Sequence, residues 1–295
     1  MTAQDVLDAA QAEELLQDID LSGIDLTGAD LSGASFLRVN LAGAILVDAD
    51  LSGAHLSECD LCGVRCINAD LEMTVLHQCR LRGVDFSFAN LTRVFAEKTE
   101  FKDAVFKGTD LTKAWLVESD LAGQSFSDCT LAMAMLDRCN LERADFSGLD
   151  VTQTSFSGAR LACANFSMSI GAYTNFAEAE APSANFTRAA LLMAGFQKAC
   201  LEGAVFHEAR IEQSLFIGAN LNRTDFRKAA LPYTDFSHAT VQKAVFSDAE
   251  LTHANMHGVL RDQALWNGAD LTGVMATDPD LLAAEFWKPK TDESR

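Results

Sequence analysis

Three cysteines have the spacing that most suggests chemistry. Cys59, Cys62 and Cys66 form the pattern C-x2-C-x3-C, which resembles the spacing of cysteines that hold iron–sulfur clusters. Six histidines and 42 acidic residues could also supply general acids, general bases or metal ligands. Whether any of these side chains converge depends on the structural element that carries them.

That element repeats every five residues. Steps of five from Leu21 to Met256 reach 48 positions, and 44 of them hold Leu, Phe, Ile, Val or Met. We call these positions the centres of the repeat. Amphipathic helices repeat apolar residues at three and four, and half-buried strands at two, so neither element explains the spacing. The exceptions among the centres are Cys66, Ala96, Gly171 and Ala181.

A second position in each repeat is restricted to small side chains. Two residues before each centre, 44 of 48 positions hold Ala, Ser, Thr, Cys or Val. The sequence therefore specifies one large and one small side chain in every five. The exceptions at the small position are Ile19, Ile24, Gln124 and Leu149.

The repeat unit resembles that of the pentapeptide repeat family, as in "ADLSG" at 29–33 and "ANLTR" at 89–93. The resemblance covers residues 19–275 and implies an all-β fold, a right-handed quadrilateral parallel β-helix of about 12–13 coils. Each side of a coil would be one pentapeptide, with the centre and the small residue pointing inward. A Phe at every tenth residue from Phe146 to Phe246 predicts two opposite walls of rings and two aliphatic walls.

Both ends of such a rod need a cap, because an open coil exposes unpaired backbone. Residues 1–18 are predicted to form an N-terminal helical cap, with Thr2 as N-cap and Asp5 as its partner. Residues 276–295 are predicted to form a short helix and a tail, with Asp278 as N-cap before Pro279. The predicted apolar contacts of this helix are Leu281, Leu282, Phe286 and Trp287, and the predicted tail is Lys288–Arg295.

The register argues against the cysteine cluster. Cys59 holds a small inward position, Cys66 an inward centre on the next wall, and Cys62 an outward position, so the three thiols should not meet. We therefore predict no metal and no cofactor. The register also places every histidine outward and shows no phosphate loop or nucleophile elbow, so we predict no catalytic residue and no enzyme. These histidines are His55, His77, His207, His238, His253 and His257.

The composition of the chain limits the kinds of partner that it can bind. The net charge of −19 argues against direct binding to nucleic acid or to an anionic membrane, since phosphate contacts need Lys and Arg. The chain shows no secretory signal pattern and no apolar run near 18 residues, which predicts a cytoplasmic protein.

Two outward columns, each stepping by twenty residues, are candidate binding surfaces. The acidic column contains the acidic-face candidates Asp30, Asp50, Asp70 and Asp110, with Asn90 between the last two. The apolar column contains the protein-binding candidates Val75, Phe95, Trp115 and Met135. Phe95 could instead turn inward beside the small centre Ala96.

Two functions remain open. The first is a non-enzymatic protein-binding scaffold or adaptor, with a general likeness to pentapeptide repeat proteins associated with bacterial type VI secretion. The second follows from the likeness to family members that mimic DNA, bind type II topoisomerases such as gyrase and confer quinolone resistance. In either case the apolar C-terminal segment is a candidate homodimer contact.

The small centres Gly171 and Ala181 are the weakest point of the predicted core. We expect Ile170 to turn inward to fill the space, or a dimple to form there.

Overall fold

The chain winds into a parallel β-solenoid with a short helix at each end. The computed structural model describes residues 1–287, so the tail predicted at Lys288–Arg295 lies outside the described residues. The helices and strands are α1 (Ala3–Gln11), β1 (Leu15–Gln17), β2 (Ser35–Leu37), β3 (His55–Ser57), β4 (Val75–His77), β5 (Ile170–Ala172), β6 (Ala190–Leu192) and α2 (Pro279–Glu285).

With three exceptions given below, every fifth residue from Leu15 onward pairs in parallel with the residue twenty positions later, which gives the solenoid four walls. We number the walls 1 to 4 by their first centres, which are Leu16, Leu21, Leu26 and Leu31. Backbone hydrogen bonds of 2.6–3.2 Å join each coil to the next and satisfy the buried peptide groups. The predicted quadrilateral β-helix and its register are confirmed.

Polar residues at the small inward position are also satisfied. The hydroxyl groups of Thr74, Thr109 and Thr154 are buried, and each donates to a centre carbonyl of the preceding coil at 2.8 Å. Because a buried hydroxyl is costly without such a partner, this contact explains why Ser and Thr can alternate with Ala.

Phenylalanine rings fill walls 1 and 3, as the tenfold spacing predicted. On wall 3, Phe186 and Phe206 stack with ring centroids 4.6 Å apart. Across the core, Phe186 meets Phe196 of wall 1 edge to face, at 5.8 Å and 87°. Both geometries are favourable for aromatic pairs, so rings on opposite walls occupy the narrow interior together.

The pairing between coils is interrupted once on each of three walls. Wall 2 is paired continuously from Asp20 to Arg80 and again from Glu100 to Leu260. On wall 3 the pairing stops at Val105 and resumes at Ser125, and on wall 4 it stops at Thr130 and resumes at Asp150. Wall 1 is paired without a gap along its whole length.

The expectation that Ile170 turns inward is wrong. Its side chain is 53% exposed, and Ile170 pairs with Ala190 in a regular ladder. The space beside Gly171 is already occupied, because a Cβ there would lie 2.7 Å from Thr174 Oγ1 and 3.1 Å from Val151 Cγ2. Neighbouring side chains therefore fill the gap that Ile170 was expected to fill.

Helix α1 covers the first coil. Thr2 and Asp5 form the predicted capping box, and Val6 is fully buried. The helix ends at Gln11, so Leu16 is the first inward centre of wall 1 rather than a helical residue.

Helix α2 begins as predicted but packs differently. Asp278 caps it, and Pro279 is its first residue. The predicted apolar contacts are wrong, because α2 has no buried residue and both Phe286 and Trp287 are 72% exposed. This helix is short, and its Glu285 contacts His238 and His257 of the solenoid. Leu281 is likewise exposed and Leu282 only partly covered.

Within residues 1–287, neither helix is long and apolar enough to cross a membrane.

Candidate functional site

The apolar column forms a continuous strip on wall 1. Val75, Phe95, Trp115 and Met135 are joined by successive pairings, so the strip spans about 14 Å along the solenoid. Trp115 is 39% exposed and Met135 40%, while the other two are half-buried. Hereafter these four residues are called the apolar strip.

Phe95 points outward. Its ring stacks on Trp115 with centroids 6.0 Å apart and planes 24° apart, while Ala96 is fully buried beside it. The strip is therefore not shortened at Ala96. The stacking also covers part of each ring, so the strip both lines the coil edges and presents apolar surface to solvent.

Four side chains at the corner between walls 4 and 1 extend this surface. Each occupies a turn position with φ near +58°, and each is exposed. Two are apolar and lie at the ends of the strip, and two are cations that lie between them. Sequence reasoning missed them because the turn position tolerates any outward residue, and only the folded corner places it beside the strip. They are Met73, Arg93, Lys113 and Met133.

The acidic column lies on wall 4, next to the strip. Its carboxylates are turned toward the backbone: Asp50 accepts from the Ser52 amide at 2.8 Å, and Asp70 accepts from the Glu72 amide at 2.9 Å. Such bonds cap the turn that follows each centre. The acidic column therefore has a structural role in addition to its charge.

Two of these carboxyl groups have shifted pKa values. The hydroxyl and the backbone amide of Ser32 hold the pKa of Asp30 below its ordinary value. Burial raises the pKa of Asp110, but hydrogen bonds from Thr112 and Thr130 outweigh burial, and the net shift is downward. Both groups remain anionic at neutral pH.

The three spaced cysteines do not converge. Cys59 and Cys66 are buried on walls 2 and 3, and Cys62 is a half-buried outward residue. Burial raises the pKa of the Cys66 thiol to about 12, which disfavours the thiolate that a metal would need. Cys79 stacks one coil above Cys59, and its pKa is raised by that thiol and by burial.

One histidine departs from the expected outward placement. His257 is only 7% exposed, because α2 lies over it. Glu285 of α2 places Oε2 3.4 Å from His257 Nε2 and 3.4 Å from His238 Nε2. This group could not be predicted from the sequence, since its residues are 19 and 28 positions apart and meet only once α2 has docked.

Comparison with known proteins identifies the repeat. The model of pentapeptide repeats matches the chain in eight copies, over residues 19–57, 57–95, 104–143, 139–170, 204–240 and 233–259. A search of curated proteins finds no match.

Several solved structures are similar to the chain. HetL, a pentapeptide repeat protein involved in heterocyst differentiation regulation from Nostoc sp. strain PCC 7120, shares 23% identity over 94% of this chain and 98% of its own, with a TM-score of 0.35. QnrB1, a plasmid-mediated fluoroquinolone resistance protein, shares 18% identity over 58% of this chain and 96% of its own, with a TM-score of 0.40.

Proposed function

The chain belongs to the pentapeptide repeat family, and from this premise we propose that it is a non-enzymatic scaffold that binds a protein partner through the apolar strip. The observation that supports the proposal is the contiguity of the strip. Single exposed apolar residues are ordinary on protein surfaces, whereas adjacent ones build a patch of the kind that marks interaction sites.

Trp115 is the proposed anchor of the interface. Tryptophan is among the residues most enriched at binding hot spots, where its truncation commonly costs about 2 kcal/mol or more. Its indole ring is supported on one side by Phe95, so little side-chain entropy would be lost when a partner covers the other side.

The charges beside the strip indicate the chemistry of the partner. Arg93 and Lys113 are exposed between Met73 and Met133, and Arg93 lies 3.8 Å from Glu72. A partner segment that presents apolar side chains with acidic residues along one edge would match this arrangement. We therefore propose an amphipathic, acidic-edged segment as the occupant.

The proposal is tested by changing the strip without changing the fold. Trp115→Glu should abolish capture of the partner and lower the free energy of unfolding by no more than about 1 kcal/mol, the worth of the lost aromatic stack. Leu215→Glu is the matched control, because Leu215 occupies the same column of wall 1 and is 37% exposed. Partners captured by the unchanged chain and by each variant are compared, and binding is repeated with the purified candidate.

Loss of binding in both variants, or in neither, would contradict a docking site at the strip. Strong destabilisation of Trp115→Glu with binding retained would instead show that the strip serves only to hold the coils together.

DNA mimicry is the second candidate function, favoured by the regular acidic column on wall 4. Neighbouring coils are about 4.8 Å apart, whereas a duplex carries one charge per about 1.7 Å, so the column supplies about a third of the duplex charge density. The column carboxylates also cap turns. A gyrase supercoiling assay separates the two candidates: the scaffold proposal predicts no effect of the protein, and inhibition or protection that is lost in Asp50→Asn would favour mimicry.

We also propose that the C-terminal coil forms a homodimer contact. Four of its apolar side chains are exposed at the end of the solenoid, where α2 leaves the coil uncovered. Light scattering of the full chain should show a dimer that Leu260→Glu disrupts, and a monomer at all concentrations would contradict the proposal. These exposed residues are Leu260, Leu265, Leu271 and Met275.

A role in bacterial secretion and a cytoplasmic location remain predictions. Identification of the partner captured through the strip tests the first, and fractionation of cells that express the full chain tests the second.

A further inference from the structure

Two histidines of adjacent coils meet one carboxylate of α2. His238 Nε2 and His257 Nε2 each lie 3.4 Å from Glu285 Oε2, and the three ligand atoms all lie within 4.8 Å of one another. Among residues 1–287, this is the one group of three such side chains close enough to share an ion. We propose that His238, His257 and Glu285 bind one divalent transition-metal ion of the zinc class.

The two nitrogen–oxygen distances fit such an ion, and the imidazole nitrogens lie within 4.8 Å of each other. Zinc binds imidazole nitrogen and carboxylate oxygen at about 2.0–2.2 Å in tetrahedral geometry, so neighbouring ligand atoms are separated by about 3.3–3.6 Å. The two observed nitrogen–oxygen distances of 3.4 Å fall in that range. Two imidazoles with one carboxylate suit zinc and the other late first-row transition metals better than magnesium or calcium. The fourth position is left for water.

The solenoid positions both rings. A Cβ at residue 258 would lie 2.7 Å from His238 Nδ1, so Gly258 allows the His238 ring to lie close over its backbone. The two imidazole planes are 82° apart, with centroids separated by 5.4 Å. Their arrangement therefore depends on the last coils, and only the carboxylate comes from α2.

Binding requires one proton to move. Asp278 donates its backbone amide to His257 Nδ1 at 3.3 Å, which places the imidazole proton on Nε2, facing Glu285. An ion that binds at Nε2 displaces that proton, which passes to solvent. In exchange, Nδ1 takes up a proton from water. The Asp278 amide must then turn away from Nδ1. It belongs to the N-cap residue and is not part of the helical hydrogen bonding, so α2 can remain folded.

The ion would fasten α2 to the solenoid. None of the residues of α2 is buried, so the packing of its side chains holds it only weakly against the solenoid. The site is separate from the apolar strip, so it does not depend on the proposed docking function.

The test uses the full chain with Zn²⁺ and Co²⁺. Competition with a chromophoric chelator should show one Zn²⁺ bound per chain, and Co²⁺ should give d–d bands without the charge transfer that thiolate ligands produce. His238→Ala and Glu285→Gln should each weaken Zn²⁺ binding by about tenfold or more. His253→Ala is the matched control, because that histidine lies on the same end of the solenoid and stacks on Tyr233. The Zn²⁺ affinity of this variant should equal that of the unchanged chain.

Circular dichroism of each variant checks that the solenoid remains folded, and Glu285→Gln keeps the size of the side chain on an exposed helix. Absence of Zn²⁺ binding, equal affinity in all variants, or a thiolate band with Co²⁺ would each overturn the proposal, the last by assigning the ion to cysteines.

Discussion

The coils of residues 76–150 and those of residues 156–256 follow one five-residue register but differ in continuity. All three interruptions of the ladder lie in the first set, between Arg80 and Asp150. In the second set every wall is paired, and the rings of walls 1 and 3 alternate between stacked and edge-to-face contacts. The same repeat therefore tolerates two kinds of interior.

Side-chain size explains two of the interruptions. Gln124 and Leu149 occupy positions where the repeat otherwise places a small residue, and both are buried. Each lies on the coil that follows a gap, on walls 3 and 4. We infer that these two large side chains keep the neighbouring coils from closing to hydrogen-bonding distance. The amide of Gln124 partly compensates by donating to the Phe101 carbonyl at 2.9 Å.

We call the first set of coils the interrupted set and the second set the regular set. The apolar strip runs along the interrupted set, on the one wall that has no interruption along residues 15–275. Trp115 and Phe95 connect successive coils there by stacking. We infer that the strip has two separable roles, which are to hold wall 1 together and to present a binding surface. Changes to the interior test the first role, and changes to the exposed face test the second.

The largest effect is expected from a charge in the regular set. Phe206→Asp would bury an unpaired carboxylate and remove two ring stacks. It should therefore lower the free energy of unfolding by more than about 4 kcal/mol or prevent folding. Leu116→Asp should act in the same direction in the interrupted set. The outward control Asp120→Ser loses hydrogen bonds to Ala122 and Asn140 and should cost about 1 kcal/mol. Urea unfolding measures the free energy of unfolding of all three variants, and equal losses of stability would refute the register.

An intermediate effect is expected from exchanging side-chain size between the two sets. Leu149→Ala should let wall 4 close, so that the amides of Leu131 and Asp150 become protected from hydrogen exchange by about tenfold or more. The reciprocal variant Ala189→Leu should open the regular set at the Ala190 amide, now bonded to Ser169 at 2.8 Å, and cost about 1–3 kcal/mol.

If Leu149→Ala left the exchange rates unchanged, the size of the inward residue would not be the cause of the gap. If Ala189→Leu left the ladder closed, the regular set would be tolerant of overpacking, and the contrast between the sets would need another explanation.

The smallest effect concerns the acidic column beside the gap on wall 4. The folded-state pKa of Asp110 lies below its ordinary value, so the stabilisation it contributes is complete above the unfolded pKa of about 3.9. It is lost as the pH falls through the lower, folded value. The amide of Thr112, which donates to Asp110 at 2.9 Å, should report this titration by NMR with a midpoint below about 3.9. Asp110→Asn should remove the titration, and a midpoint above the ordinary value would contradict the assignment.

The sequence allowed the walls to be predicted because each fifth side chain must fit a fixed interior volume. The gaps were only partly predictable: Gln124 and Leu149 break the small-residue pattern, whereas Cys79 and Thr99 beside the wall 2 gap fit it. Ile170 was predicted wrongly because pattern counting does not show that Thr174 and Val151 already fill the space. The histidine and glutamate group was missed because its geometry depends on where α2 docks.

Site-specific photo-cross-linking tests whether a protein partner docks on the apolar strip. A photoreactive amino acid replaces Lys113, at the edge of the strip, in the full chain, and the matched control carries it in place of Gln213 at the equivalent turn five coils later. We predict a discrete cross-linked partner from position 113 that is lost when Trp115→Glu is added, and no such product from position 213. Equal products from both positions, or a product from position 113 that survives Trp115→Glu, would contradict the account.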